Sequence, residues 1–177
     1  MIFTELFKQI SAEELTDNVF KLVGKDYFVV TAGKKDNYNS MVGSGGGWGM
    51  HFRKPTTWCL FPTNRYTLEI IKQEQSYTLS YFPDEYKQQM LFLGSKSGRD
   101  SNKMKECSLT SIEIPSGDMS FEEAKIIIEC QLTQITIANA EDFYSQEARD
   151  YLQEAYKDEG EIRNYVYGEI KSIWVKK

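Results

Sequence analysis

Histidine is almost missing from this chain: His51 is the only one in 177 residues, which removes HExxH and every two-histidine metal site. Cysteine is scarce too, and Cys59, Cys107 and Cys130 stand far apart with no CxxC pair. An odd count with no secretory leader points to a reducing compartment and to buried structural thiols. The first ten residues place Glu5 and Lys8 where a signal peptide would be apolar. The longest uncharged run, 37–52, is filled with glycine, asparagine and serine and does not suit a bilayer. A soluble, cytoplasmic chain that enters no membrane is the expectation. Nucleotide and hydrolase signatures are lacking as well. Gly24-Lys25 is followed by Asp26 and Gly33-Lys34 by Lys35, so there is no Walker A; neither GxGxxG nor GxSxG occurs.

What is present describes a folded domain. Hydrophobic residues make up 41% and charged residues 27%, enough for one domain over 1–177 with its own core. Aromatics reach 14%, with eleven tyrosines and ten phenylalanines, which favours strands. The net charge of −5 is unevenly spread: residues 53–105 carry nine bases and five acids, and 106–161 carry three bases and fourteen acids. Such a chain lacks the broad basic face that nucleic acid requires. Its basic middle suits a small anion.

Residues 25–33, 56–61, 76–82, 125–137 and 166–175 are β-branched and aromatic and read as strands. Ser11 with Glu14 forms a capping box for a short helix. Further helices are expected at 67–75, at 84–93 with Gly94 as its C′ residue, at 100–107, and at 141–157, the last one acidic and amphipathic. Strands interleaved with short helices, without regular βαβ spacing, argue for a mainly β fold with α excursions: a small antiparallel barrel. A parallel Rossmann sheet is the alternative.

Three segments invite a ligand. Residues 39–49, NSMVGSGGGWG, offer unobstructed backbone N–H groups beside Ser40, Ser44 and Trp48. They read either as a cradle for a flat ring or as a bulged connection. Residues 64–67, NRYT, follow a strand and open a helix, so Arg65 and Thr67 either anchor a phosphate or act as a solvated charge and a cap. Residues 94–100, GSKSGRD, carry hydroxyls and cations, with Arg99 suited to bidentate phosphate binding and Lys96 or Lys103 to acting as point charges; a capped surface loop is the other reading. His51 reads as a surface or packing residue.

The order of NSMVGSGGGWG, Lys54-Pro55, NRYT and 94–103, GSKSGRDSNK, resembles the flavin reductase-like family, the FMN-binding split-barrel group that includes flavoredoxin-type proteins. Glu122-Glu-Ala, Glu129-Cys130 and the ending Tyr167-Gly-Glu-Ile170 extend the resemblance over nearly the whole chain. It implies a Greek-key split barrel, a homodimer, and FMN near the subunit interface. It also implies hydride transfer from NADH or NADPH, with a redox partner protein as a further candidate and a non-catalytic electron carrier or redox-sensing module as the alternative. Carried over by position, Ser40, Met41, Val42 and Ser44, with Trp48, would line the flavin ring and ribityl chain. Arg65, Tyr66 and Thr67 would meet the phosphate end, and Ser97, Gly98, Arg99 and Lys103 would close on it, with Asp100 holding that loop. Backbone N–H groups of 42–49 would stabilise negative charge at the ring edge. Two departures stand out: Val42 where the family often has threonine, and Arg163-Asn164 where it commonly has histidine.

Overall fold

In the computed structural model, residues 2–99, 103–156 and 163–177 are described. Ten strands run in chain order: β1 (Phe7–Ile10), β2 (Phe28–Lys34), β3 (Asn37–Gly43), β4 (Gly46–His51), β5 (Lys54–Pro62), β6 (Ser76–Tyr81), β7 (Ser111–Glu113), β8 (Met119–Phe121), β9 (Ile126–Ile137) and β10 (Arg163–Lys176). The α-helices are α1 (Phe3–Leu6), α2 (Val19–Lys21), α3 (Tyr66–Glu74), α4 (Lys87–Ser95), α5 (Lys103–Glu106) and α6 (Gln146–Tyr156). Strands β7 and β8 form a separate hairpin.

The main sheet is antiparallel throughout, in the order β3-β2-β6-β9-β10-β5-β4, with β1 added on β10. Its two path ends, β3 and β4, are consecutive in the chain and joined by Ser44 and Gly45 alone, so the sheet curls until its edges approach without closing. β10 makes the split. Along Asn164–Val175 it pairs with β9, but on its other side it pairs with β5 over Arg163–Glu169 and with β1 over Ile173–Lys176. Register shifts at Tyr167/Gly168 and Ile170/Ser172 bend it between the two partners.

Strand patterns follow from two cores. Alternate side chains of a strand face opposite ways, so a strand buried on both faces reads as a continuous apolar run. Val30 and Ile128 sit in the barrel core with Tyr77, Leu79 and Phe61, whereas Val29 and Ile127 face a second core under α4 with Phe82, Leu93 and Phe121. That accounts for the unbroken runs in β2 and the first third of β9.

The antiparallel barrel expectation holds, and the Rossmann alternative falls. Several local readings need correction. The glycine-rich run is the end of β3, a two-residue link and an edge strand, β4, rather than a loop. Two of its glycines answer to crowding: a Cβ on Gly43 would meet the Phe28 ring at 2.5 Å, and one on Gly46, at φ +151°, would overlap the Trp58 carbonyl. Gly94 lies within α4 instead of following it, because the helix is capped otherwise, as described below. The 84–93 helix begins with a 3₁₀ turn, Asp84–Tyr86, and the 141–157 helix is preceded by one at Ala140–Asp142. The expected start of the 100–107 helix falls outside the described residues, and α5 follows at Lys103. The capping box at Ser11 is present, with its backbone N–H donating to Glu14 Oε2 at 2.7 Å.

Candidate functional site

A cavity of about 520 Å³ opens at one end of the barrel, between the β3–β4 link and the last residues of β5. Met41, Val42, Leu60 and Pro62 form its apolar wall, and the start of α3 and the segment 94–99 form the other. Five cations line it, Arg65, Lys96, Arg99, Lys103 and Arg163, with no carboxylate among its described lining residues. In a chain of net charge −5 that concentration selects an anion-bearing ligand.

The polar end is built by three elements. α3 begins at the cavity with Arg65 at its N-cap in an extended conformation and no side chain capping the first turn. The positive end of the helix dipole favours an anion there. Thr67, one residue in, does not cap the helix: its Oγ1 accepts a hydrogen bond from Asn39 Nδ2 on β3 at 2.8 Å. Gly98 rests on the same asparagine, since a Cβ there would overlap the Asn39 amide. The loop carrying Ser97 is tightened by the Arg99 N–H, which donates to Ser97 Oγ at 3.2 Å.

Lys103 is the buried cation of the site, 3% exposed. Its Nζ donates to the carbonyls of Leu93 at 2.7 Å and Lys96 at 2.9 Å, closing the C-terminal end of α4 in the role expected of a C′ glycine. Burial, and then the charge of Arg65, lower its pKa to about 8. Arg99 is held differently. It is about half exposed, ion-paired with Glu69, hydrogen-bonded through Nη1 to the Asn64 carbonyl at 3.0 Å, and stacked over Tyr66 at 5.4 Å. Lys96 is paired with Glu106 at 2.7 Å.

Of the residues singled out in the sequence, Met41, Val42, Ser44, Arg65, Tyr66, Thr67, Ser97, Gly98, Arg99 and Lys103 line this one cavity. Two do not. Ser40 is buried with its hydroxyl 2.8 Å from Thr31 Oγ1 across the β2–β3 pair, because strand alternation turns it away from Asn39 and Met41. Trp48 packs edge-on against Tyr81 at 5.7 Å, on the barrel core. Asp100 lies outside the described residues. Within 42–49, residues 46–49 pair with β5 along one edge of β4, and Ser44 and Gly45 lie between strands. Sequence reasoning missed Asn39, Leu60, Pro62 and Tyr151 as lining residues. Asn39 was within reach, being two residues before Met41 on the same strand face.

A second, apolar cavity of about 460 Å³ adjoins the first beneath α6, walled by Phe143, Ala148, Leu152, Ala138 and Tyr165; Leu60, Tyr151 and Arg163 belong to both. Arg163 therefore stands at their junction.

No family model and no curated protein sequence matches the chain. Solved structures do. An FMN-binding domain of a flavin reductases-like enzyme from Shewanella baltica superposes with a TM-score of 0.68 at 15% identity, over 96% of this chain and 76% of that one. Flavoredoxin from Methanosarcina acetivorans gives 0.65 at 14%, over 95% and 77%. An FMN-binding protein from Thermus thermophilus with bound 1-cyclohex-2-enone gives 0.65 at 15%, over 95% and 80%. These are the proteins that the sequence resemblance named, and the fold is theirs: an FMN-type split barrel.

Proposed function

We propose that the chain is an FMN-binding oxidoreductase, reduced by NADH or NADPH and acting as a flavin reductase. The observation that carries this reading is the split-barrel cavity with five cations, no described carboxylate and an apolar wall. The donor set fits the group. Arg65, Thr67, Ser97, Arg99 and Lys103 would hold the phosphate, Met41, Val42, Leu60 and Pro62 would flank the ring, and Ser44 would face its polar parts. Gly98 packed against Asn39 keeps its loop at the polar end of the cavity.

Bound FMN would supply the redox chemistry. The chain's own residues bind, orient and shield. The apolar cavity under α6 offers space for a flat partner beside the ring, either the nicotinamide or a small cyclic acceptor such as the cyclohexenone bound by the Thermus protein. Arg163 at the junction would hold a negative group on that partner. A second reading, an electron carrier or redox sensor with no nicotinamide turnover, is favoured by one feature: the described lining of the first cavity has neither histidine nor carboxylate to handle a proton.

A cytoplasmic homodimer belongs to the same proposal. The β4–β5 hairpin presents Met50, Phe52 and Trp58 to solvent, with Phe52 85% exposed. Phe52 and Arg53 at its tip both adopt left-handed conformations, at φ 48° and 63°, which favour Asn-Gly rather than an aromatic. An exposed aromatic kept on a strained turn supports a contact with a second copy.

Ultraviolet–visible spectra of the purified protein, before and after anaerobic NADH or NADPH, test this, with the mass of the same sample by light scattering. Flavin bands that bleach promptly, on a dimer, are expected. Bands that persist would select the carrier. A colourless protein that also fails to take up FMN would overturn the flavin reading.

A further inference from the structure

The polar end of the first cavity contains one hydrogen bond whose direction matters. Asn39 on β3 is 4% exposed and Thr67 in the first turn of α3 is 1% exposed, and both line the cavity. Asn39 Nδ2 donates to Thr67 Oγ1 at 2.8 Å. Gly98 sets that direction. The place a Cβ on Gly98 would take lies 2.2 Å from Asn39 Oδ1 and 2.8 Å from Nδ2, so the amide oxygen meets the glycine's Cα–H, a weak donor. Turned over, the amide would press its N–H hydrogens on that C–H and leave a buried donor unsatisfied.

A threonine hydroxyl has one hydrogen and two lone pairs. With the amide hydrogen on one lone pair, the hydroxyl hydrogen cannot point back at Asn39. It has no acceptor among the described residues. Arg65, Lys96, Arg99, Lys103 and Arg163 line the same cavity, and their side chains carry donors only. The hydroxyl is thus a buried donor at the place where the cations gather. An anionic oxygen is the group that satisfies both.

We propose that Asn39 is a positioning residue: by donating into Thr67 Oγ1 it aims the threonine's hydrogen at the phosphate of the ligand, and so sets the preference of the site for phosphorylated over unphosphorylated flavin. This rests on the flavin reading above, which puts that phosphate against Arg65, Thr67 and Lys103. Riboflavin shares the ring and ends in a neutral hydroxyl, so it gains less from a preset donor than FMN, whose charged oxygens make the stronger hydrogen bond.

The test is a double-mutant cycle on Asn39→Leu and Thr67→Val, each close to the natural side chain in shape, with FMN and riboflavin affinities of the apoprotein read by flavin fluorescence. Thr67→Val is expected to lower the ratio of FMN to riboflavin affinity about tenfold or more, the effect of one hydrogen bond to a charged group. Asn39→Leu is expected to lower it severalfold, because the hydroxyl then turns freely. Added to Thr67→Val, the same substitution is expected to change the ratio by less than a factor of about two, since its route to the phosphate is already gone. A further fall as large as in the natural chain would mean that Asn39 acts directly or through the 98–99 segment, and would overturn the proposal. So would a ratio that Asn39→Leu leaves unchanged. Riboflavin affinity monitors the ring end, and a fall common to both flavins marks general damage; Asn39→Ala, which relieves crowding at Gly98, then replaces Asn39→Leu in the cycle. A natural chain that binds neither flavin would sink the flavin reading itself, a different outcome from FMN binding with an unchanged ratio.

Discussion

Gly98 and Asn39 are packed so closely that a Cβ on Gly98 would overlap the Asn39 amide, and Asn39 in turn holds Thr67 through a 2.8 Å hydrogen bond. One contact thus ties the 94–99 segment to β3 and to the first turn of α3, the three elements that meet at the polar end of the cavity.

Gly98→Ala should therefore act on folding and on binding together. The added methyl must push Asn39 or the loop aside, at a cost of about 1–3 kcal/mol. The melting temperature is expected to fall by roughly 2–12 °C, and flavin affinity about tenfold. Affinity unchanged in a titration would show that the loop does not shape the site.

Lys103 predicts a dependence on pH. Its pKa is lowered from the usual 10.5 to about 8, so above pH 8 the folded chain loses this proton while the unfolded chain keeps it. The unfolded state then binds more protons, and stability rises with pH between about 8 and 10, by on the order of 2 kcal/mol from this group. Below pH 8 the lysine is charged in both states and adds no slope. Binding runs the other way. A phosphate beside Nζ favours its charged form, so flavin affinity should weaken as pH rises past about 8 and binding near that pH should take up protons. Calorimetry in buffers of different ionisation enthalpy measures the uptake. Lys103→Met should bind weakly and without the step, and a step that survives the substitution would assign it to another group.

Arg99 and Glu69 predict opposite effects. Their ion pair is exposed, so it contributes little to stability, yet it engages part of the guanidinium that a ligand phosphate would take. Arg99→Ala should weaken flavin binding by roughly 1.5–3 kcal/mol, as for the loss of a charged hydrogen bond. Glu69→Gln should tighten it severalfold at low salt, an effect that fades as salt is raised. Equal affinity in all three proteins would remove Arg99 from the site.

Much of the fold is written locally. β2, β5, β6, β9 and β10 are legible because their β-branched and aromatic runs end at glycine, proline or polar residues, and α3 because Pro62 ends the preceding strand before an amphipathic stretch. The anion-binding segments are legible for the same reason: Arg65-Tyr-Thr67 and Ser97-Gly-Arg99 announce a helix start and a tight turn within a few residues. β4 was not, because five glycines between 43 and 49 carry no strand signal; Gly43 and Gly46 let backbone approach Phe28 and Trp58, partners distant along the chain. The turn of Ser40 away from the cavity, the committal of Arg99 to Glu69 and the capping of α4 by Lys103 likewise depend on contacts between separate elements. Composition and short-range pattern determined that the chain is an antiparallel barrel with a basic middle. Only tertiary packing decided which cations face one cavity, because charge is set residue by residue whereas convergence depends on how the sheet curls and splits.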